Sequence, residues 1–254
     1  MSELPIFVIN LARDEQRRAH MQQLLPQLGL RAEFVPGVDG RQLSSADRCA
    51  YQPARALRVY GVPMLDTEIA CYLSHYRLWQ RMVREGLKVA LILEDDLEIR
   101  PDFPQLLEEL LDDPSPSWLV LRFESQRSRV LNPQNQKDRG KPLKILEAGT
   151  LFELNIHVLG GGAYLMRQEG ARRLLDYGRQ IFMPLDQTMD RFWENGIVPY
   201  VIRPFPVTQR TTLGSSIGER AAGRHRNYPL STRLGRQWQR WLDALRKRIF
   251  ILLR

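Results

Sequence analysis

Three adjacent carboxylates, Glu94-Asp95-Asp96, close the apolar run Val89-Ala90-Leu91-Ile92-Leu93. Side by side such groups repel one another and are costly to dehydrate, so a fold that gathers them needs a compensating cation. Hard carboxylate oxygens suit a divalent ion, Mg²⁺ or Mn²⁺, shared with the phosphates of a substrate. The plain alternative is an acidic strand-to-helix turn, solvated and inert. Cys71 and His75 stand four residues apart, a spacing that would let both bind zinc from one helix face. No second Cys or His cluster lies nearby in sequence, so zinc is set aside. Gly160-Gly161-Gly162 is too short and wrongly placed for a dinucleotide fingerprint and reads as a break or a close backbone approach.

Positioning these groups requires strands that end at a common edge. A five-residue apolar run reads as a buried strand, which sets the acids at its C-terminal mouth, where open α/β sheets bind ligands. Ile6 to Ile9 and Ala32 to Val35 read as strands flanking a helix in which Met21, Leu24, Leu25 and Leu28 recur until Gly29. Asp66 or Thr67 can cap a longer helix that carries Ile69, Leu73, Tyr76, Met82 and Val83 on one face and stops at Gly86. Further on, the pattern predicts a helix over 103–111, a strand over 118–123, and a polar loop or flap over 125–144. A strand is expected over Ile156–Leu159, continued by Ala163–Met166 after the glycine break. Helices follow at Glu169–Tyr177 and Asp186–Glu194, then a strand at Ile197–Ile202. This alternation predicts an α/β fold with a mostly parallel central sheet flanked by helices.

The formal charge of +8 is localised. Residues 233–254 hold seven Arg or Lys against Asp243, and 203–226 hold five Arg against Glu219, which leaves residues 1–202 at about −2. A basic tail on a mildly acidic body speaks against a nucleic-acid binder, whose cations would stripe the body. In that tail Leu234, Trp238, Trp241, Leu242, Leu245, Ile249 and Leu252 fall on one helical face among arginines. Such a helix suits the interface of an anionic membrane, or packs on the core with a solvated basic face. Two cysteines, no basic leader before Pro5 and no run of spanning length fit a cytoplasmic protein, peripheral at the inner face of the membrane. The expected division is a domain over 1–210, a linker over 211–232 and a basic amphipathic helix over 233–254.

Six segments in order carry a resemblance: Val8-Ile9-Asn10-Leu11-Ala12-Arg13, Val38-Asp39-Gly40, Glu68 to His75, Leu91 to Asp96, Gly162-Ala163-Tyr164-Leu165 with Gly170-Ala171, and Pro184-Leu185-Asp186. Together they resemble glycosyltransferase family 25, the lipooligosaccharide and lipopolysaccharide galactosyltransferase group, from about Ile6 to Gln209. Ala70 and Leu119 depart from the family's usual residues without touching the acids. The resemblance implies a GT-A-like fold, a nucleoside-diphosphate sugar donor such as a UDP-sugar, a divalent metal, and inverting transfer of a hexose, galactose first, to a glycan or lipid-linked acceptor. It implies metal ligation by Glu94 and Asp96, with Asp95 toward the donor's ribose or sugar hydroxyls. Asn10, Arg13, Asp39, Ser74 and His75 then belong to the donor site, His75 donating to a phosphate or sugar oxygen. Asp186 becomes the base that takes the acceptor's proton, with Asp190 as fallback. Each has a structural alternative: Asp186 as a helix cap, Asp39 as a turn residue, His75 as a core histidine, Arg13 as a solvated helix residue. Two other functions remain in view, a non-catalytic glycan binder of the same fold and a Mg²⁺-binding receiver domain. The second is disfavoured because more than 80 residues precede the acids and no acceptor aspartate follows on a strand.

Overall fold

A computed structural model describes residues 4–113, 116–126, 140–210 and 230–254. Its centre is an eight-stranded sheet in the order β2-β1-β3-β8-β5-β9-β7-β6. The strands are β1 (Ile6–Asn10), β2 (Glu33–Pro36), β3 (Val89–Glu94), β5 (Val120–Arg122), β6 (Lys141–Leu146), β7 (Gly149–Glu153), β8 (Ala163–Arg167) and β9 (Tyr200–Arg203). The parallel pairs β1·β2, β1·β3 and β5·β9, with antiparallel pairs on both sides of β8 and of β7, leave six strands pointing one way and only β8 and β7 against them. The expected mostly parallel α/β sheet is therefore present.

Alternation along the buried strands feeds two cores. Ile6, Val8, Leu91, Leu93 and Leu165 meet Met21 and Leu25 of α1 (Glu15–Gln27) and Phe103, Leu106, Leu107 and Leu110 of α5 (Phe103–Leu111) on one face. Phe7, Ile9, Ala90, Ile92 and Met166 meet Ile69, Tyr72, Leu73, Trp79 and Met82 of α4 (Asp66–Arg84) and Ala171 and Leu174 of α6 (Gln168–Tyr177) on the other. Each fully buried Leu, Ile or Phe contributes about 1.5–3 kcal/mol by leaving water, which is why β1 and β3 read as continuous apolar runs. α4 begins at Asp66, where the Glu68 carboxylate accepts the Leu65 N–H at 2.8 Å.

Several details differ from the sequence pattern. Ile156–Leu159 is not a strand. Its backbone is spent on side chains: Ser125 Oγ donates to Val158 O at 2.6 Å, and Leu159, at φ 57°, donates its N–H to Asp190 Oδ2 at 2.9 Å. β8 therefore starts at Ala163 as an independent strand. The helix expected over Asp186–Glu194 is two short ones, α7 (Leu185–Met189) and α8 (Phe192–Asn195). Asn195 Nδ2 donates to the carbonyls of Thr188 and Met189, replacing main-chain donors at the break, and Gly196 at φ 70° ends α8. Two short helices, α2 (Ser45–Cys49) and α3 (Pro53–Val59), and a small antiparallel pair, β4 (Leu97–Ile99) with β10 (Val207–Gln209), went unforeseen. β6 occupies the end of the expected 125–144 flap, of which 127–139 lie outside the described residues, as do 211–229 of the expected linker.

The basic C-terminal segment forms α9 (Leu230–Leu252), docked by its polar side. Arg191 grips Asp243 at 2.7 and 2.8 Å while also binding Glu194, which accepts from Arg246 at 3.3 Å. Phe250 packs edge-on against Phe192, and Arg254 bonds Glu153. The opposite face leaves Trp238 61% and Trp241 55% exposed, stacked on each other 5.1 Å apart and flanked by exposed Leu234, Leu245, Ile249 and Leu252. Among the described residues, no helix is long and apolar enough to cross a membrane.

Candidate active site

The C-terminal ends of β1, β3 and β5 and the start of the reversed strand β8 converge on one edge of the sheet. From β3 come Glu94, Asp95 and Asp96. From beyond β5 comes Glu124, which is 3% exposed. Between them runs Gly162, whose N–H donates to Glu124 Oε1 at 2.7 Å and whose carbonyl accepts the Glu94 N–H at 2.7 Å. A methyl on Gly162 would stand 3.3 Å from both Glu94 Oε2 and Glu124 Oε1, so a side chain there would crowd the space between the two acids. The glycine run is thus a close backbone approach rather than a phosphate loop.

Asp95 is held from two sides: Asn10 Nδ2 donates to Oδ2 at 2.7 Å and Arg17 to Oδ1 at 3.1 Å. Arg17 also pairs with Asp96 Oδ2 at 3.2 Å. Arg17 thus bonds two of the four gathered carboxylates, Asp95 and Asp96, and Asp96 Oδ1 is buried without a hydrogen-bond partner. The electrostatics follow. Burial, reinforced by the Glu94 charge and opposed by Arg17, pushes Asp96 up to about 7. Burial also raises Asp95 against Asn10 and Arg17, and pushes Glu124 up to about 7. Glu94 is the exception: burial is the largest influence and works against its ionised form, but the hydrogen bond and charge of His75, the Cys71 thiol and Arg17 together hold the carboxyl below its ordinary range.

These groups fit a bound cation. An orphaned buried oxygen on Asp96, the unclamped Oε2 of Glu94 and a surplus of negative charge are what a divalent ion with oxygen preference would satisfy. A softer trio stands behind them: Cys71 Sγ, His75 Nε2 and Glu94 Oε1 lie within 4.8 Å of one another. The sequence offers no second Cys or His cluster near this pair, and folding brings a carboxylate from β3 beside it instead.

The remaining expected residues spread around this edge. Asp39 accepts from Arg13 and from the Arg41 N–H at 2.9 Å, so the two residues named for the donor pair with each other at the rim. The Ser74 hydroxyl accepts the Val38 N–H and donates to Ala70 O, both at 2.8 Å, tying the loop after β2 to α4. His75 is buried with its nitrogens toward Tyr164 and Glu94. Asp186 is the second residue of α7 and not its cap, which is Pro184; it is 8% exposed and accepts the Gln187 N–H at 2.8 Å. The preceding Leu185 packs over Gly161, which sets the start of α7 beside the acid edge. Asp190, the fallback base, is fully buried against Arg122 at 3.0 Å and the Leu159 N–H, an anchor for the 156–160 segment.

Arg17 and Glu124 escaped sequence reasoning. Arg17 lies in the first turn of α1, directly after the β1 exit, and a cation at that place opposite the acids of β3 was the available signal. Glu124 ends Leu121-Arg122-Phe123-Glu124, a second acid-tipped apolar strand that could have been matched with the first.

The description "Glycosyltransferase family 25 (LPS biosynthesis protein)" matches residues 3–189. A glycosyltransferase 25 family member of Aedes aegypti is 34% identical over 178 residues, 67% of this chain and 28% of that protein. The inactive glycosyltransferase 25 family member 3 of Homo sapiens is 27% identical over 221 residues, 78% of this chain and 35% of that protein. The chain thus spans about a third of the length of these relatives. Among solved structures, a glycosyltransferase involved in glycosylation of the major capsid of PBCV-1 aligns with a TM-score of 0.35 at 9% identity, covering 69% of this chain and 63% of that one.

Proposed function

The chain belongs to glycosyltransferase family 25, and from that premise we propose that it is an inverting hexosyltransferase using a nucleoside-diphosphate sugar and a divalent metal. The observation that supports this most is the gathering of Glu94, Asp95, Asp96 and Glu124 at one sheet edge, with Arg17 paired to Asp95 and Asp96 and Asp96 Oδ1 lacking a partner. Glu94 and Asp96 would hold Mn²⁺ or Mg²⁺, which supplies charge neutralisation of the diphosphate leaving group. Asp95, fixed by Asn10 and Arg17, keeps the β1 exit and the metal strand in register and carries the donor-side role. Arg13 and Asp39 line the rim where the nucleotide's base and ribose are received, and Ser74 braces the loop that bears Asp39. Asp186 takes the proton from the acceptor hydroxyl on the face opposite the leaving group.

The donor we assign first is UDP-galactose; the acceptor we assign is a lipopolysaccharide or lipooligosaccharide glycan, which accords with the family description's wording on LPS biosynthesis. The exposed Trp238 and Trp241 face of α9 fits the surface of an anionic membrane at the cytoplasmic side, where a lipid-linked acceptor would be presented. The cations on the rest of the helix favour lipid over a second copy, since Asp243, its one acid, is already consumed by Arg191.

Purified protein, Mn²⁺ and a panel of sugar nucleotides test the reading. Asp96→Ala is expected to lose metal-dependent donor binding; Asp186→Asn is expected to keep donor binding and lose transfer. Normal transfer by both variants removes the site assignment. Wild-type protein that neither binds nor cleaves any nucleoside-diphosphate sugar with Mn²⁺ favours a non-catalytic glycan binder; the human relative is named inactive.

A further inference from the structure

Glu94 is gripped from behind. Cys71, His75 and Trp79 recur every fourth residue on α4 and reach β3 and β8 from one stripe. Trp79 Nε1 is 3.0 Å from the Tyr164 hydroxyl, that hydroxyl is 2.8 Å from His75 Nδ1, and His75 Nε2 is 3.4 Å from Glu94 Oε1. An indole N–H can only donate, so the Tyr164 oxygen accepts it. Among the described residues the hydroxyl's own proton has one acceptor within reach, His75 Nδ1. The imidazole proton therefore sits on Nε2, aimed at Glu94 Oε1, and Cys71 Sγ donates to the same oxygen over 3.8 Å. Zinc would need the Nε2 lone pair that this chain fills with a proton, and it would leave the buried Tyr164 hydroxyl without an acceptor. The trio is a donor clamp. Trp79 and Tyr164 are 0% exposed and His75 1%, so water does not compete for these bonds. Glu94 Oε2 is left on the Gly162 side, facing Glu124.

We propose that His75 is a positioning residue: the chain Trp79–Tyr164–His75 fixes Glu94 through Oε1 and presents Oε2 to the divalent cation, and His75 does not itself touch the donor. This rests on the reading of Glu94 as a metal ligand and departs from the donor contact that the resemblance implied. Outer partners of this kind typically govern metal affinity by about 10–100-fold.

The test is calorimetric titration of metal-free protein with MnCl₂, without sugar nucleotide, alongside thermal melting. His75→Phe removes the donor and keeps the ring; His75→Gln restores an N–H near the Nε2 position; Tyr164→Phe removes only the hydroxyl that sets the tautomer. Expected is a weakening of Mn²⁺ binding by about 10–100-fold in His75→Phe, a smaller loss in Tyr164→Phe, and recovery to within about threefold of wild type in His75→Gln. Wild-type affinity in His75→Phe overturns the proposal, and so does an equal loss in His75→Phe and His75→Gln. Should His75→Phe fail to fold, unchanged Mn²⁺ affinity in Tyr164→Phe overturns it. Absence of Mn²⁺ uptake by the wild type removes the metal reading itself, and the proposal with it, a result distinguishable from a wild type that binds and variants that bind equally well.

Discussion

Replacing Glu124 with glutamine should make the metal-free protein more stable, and only above a defined pH. The carboxyl is buried beside Glu94 and Asp96, and burial together with those charges outweighs the Gly162 N–H and Arg122, placing it at about 7 where 4.5 is ordinary. An acid raised in this way is held protonated longer in the folded than in the unfolded chain. Between pH 4.5 and about 7 the folded state binds more protons, so stability falls as pH rises through that window and stays low above it. The displacement from 4.5 to about 7 corresponds to about 3 kcal/mol at most once the group is ionised, at about 1.4 kcal/mol for each pH decade. Local relaxation reduces this, so the expected gain for Glu124→Gln at pH 8 is about 1–3 kcal/mol, or about 2–4 °C of melting temperature per kcal/mol in a chain of this size. Glutamine keeps the acceptor for the Gly162 N–H, so the substitution changes charge with little change in bonding. Urea unfolding in chelator at pH 8 and at pH 4.5 is the assay. At pH 4.5 the two proteins should nearly coincide, and at pH 8 the variant should lead. A variant that is equal or less stable at pH 8, or a gain independent of pH, refutes the account of the acid cluster as uncompensated charge.

Three further outcomes follow from the same geometry. Gly162→Ala places a methyl 3.3 Å from Glu94 Oε2 and Glu124 Oε1; it should weaken Mn²⁺ binding by calorimetry while the melting temperature changes little. Asp243→Ala removes the bidentate partner of Arg191, which retains Glu194, so urea unfolding should show a loss of about 2 kcal/mol, near the lower end for a breached buried pair. Trp238→Glu with Trp241→Glu should abolish sedimentation with anionic vesicles and leave stability within about 0.5 kcal/mol, because both rings are already exposed.

The parts of this molecule that were legible in the sequence are those governed by local periodicity. β1, β3, α1, α4 and α5 follow from apolar spacing because both faces of the central strands are buried, and the acids at the β3 exit needed only the strand's end to be placed. What escaped depends on pairing between distant segments. Ile156–Leu159 is apolar enough for a strand, yet its N–H and C=O groups are claimed by Asp190 and Ser125 from elsewhere in the chain. The break between α7 and α8 is made by Asn195 bonding backward, an arrangement with no signature in spacing. Glu124 joins the acids only because β8 inserts between β3 and β5. For the same reason the third member of the Cys71–His75 trio was invisible until β3 met α4.

The reversal of β8 has a consequence for dimensions. Two parallel sub-sheets, β2-β1-β3 and β5-β9, touch only through that one strand. The acid-bearing ends of β3 and β5 therefore stand two inter-strand spacings apart, about 9–10 Å between backbones rather than the roughly 4.8 Å of direct neighbours. The edge becomes a slot with a carboxylate on each bank and a side-chain-free glycine floor, and its width is set by main-chain hydrogen bonding, the stiffest ruler a protein has.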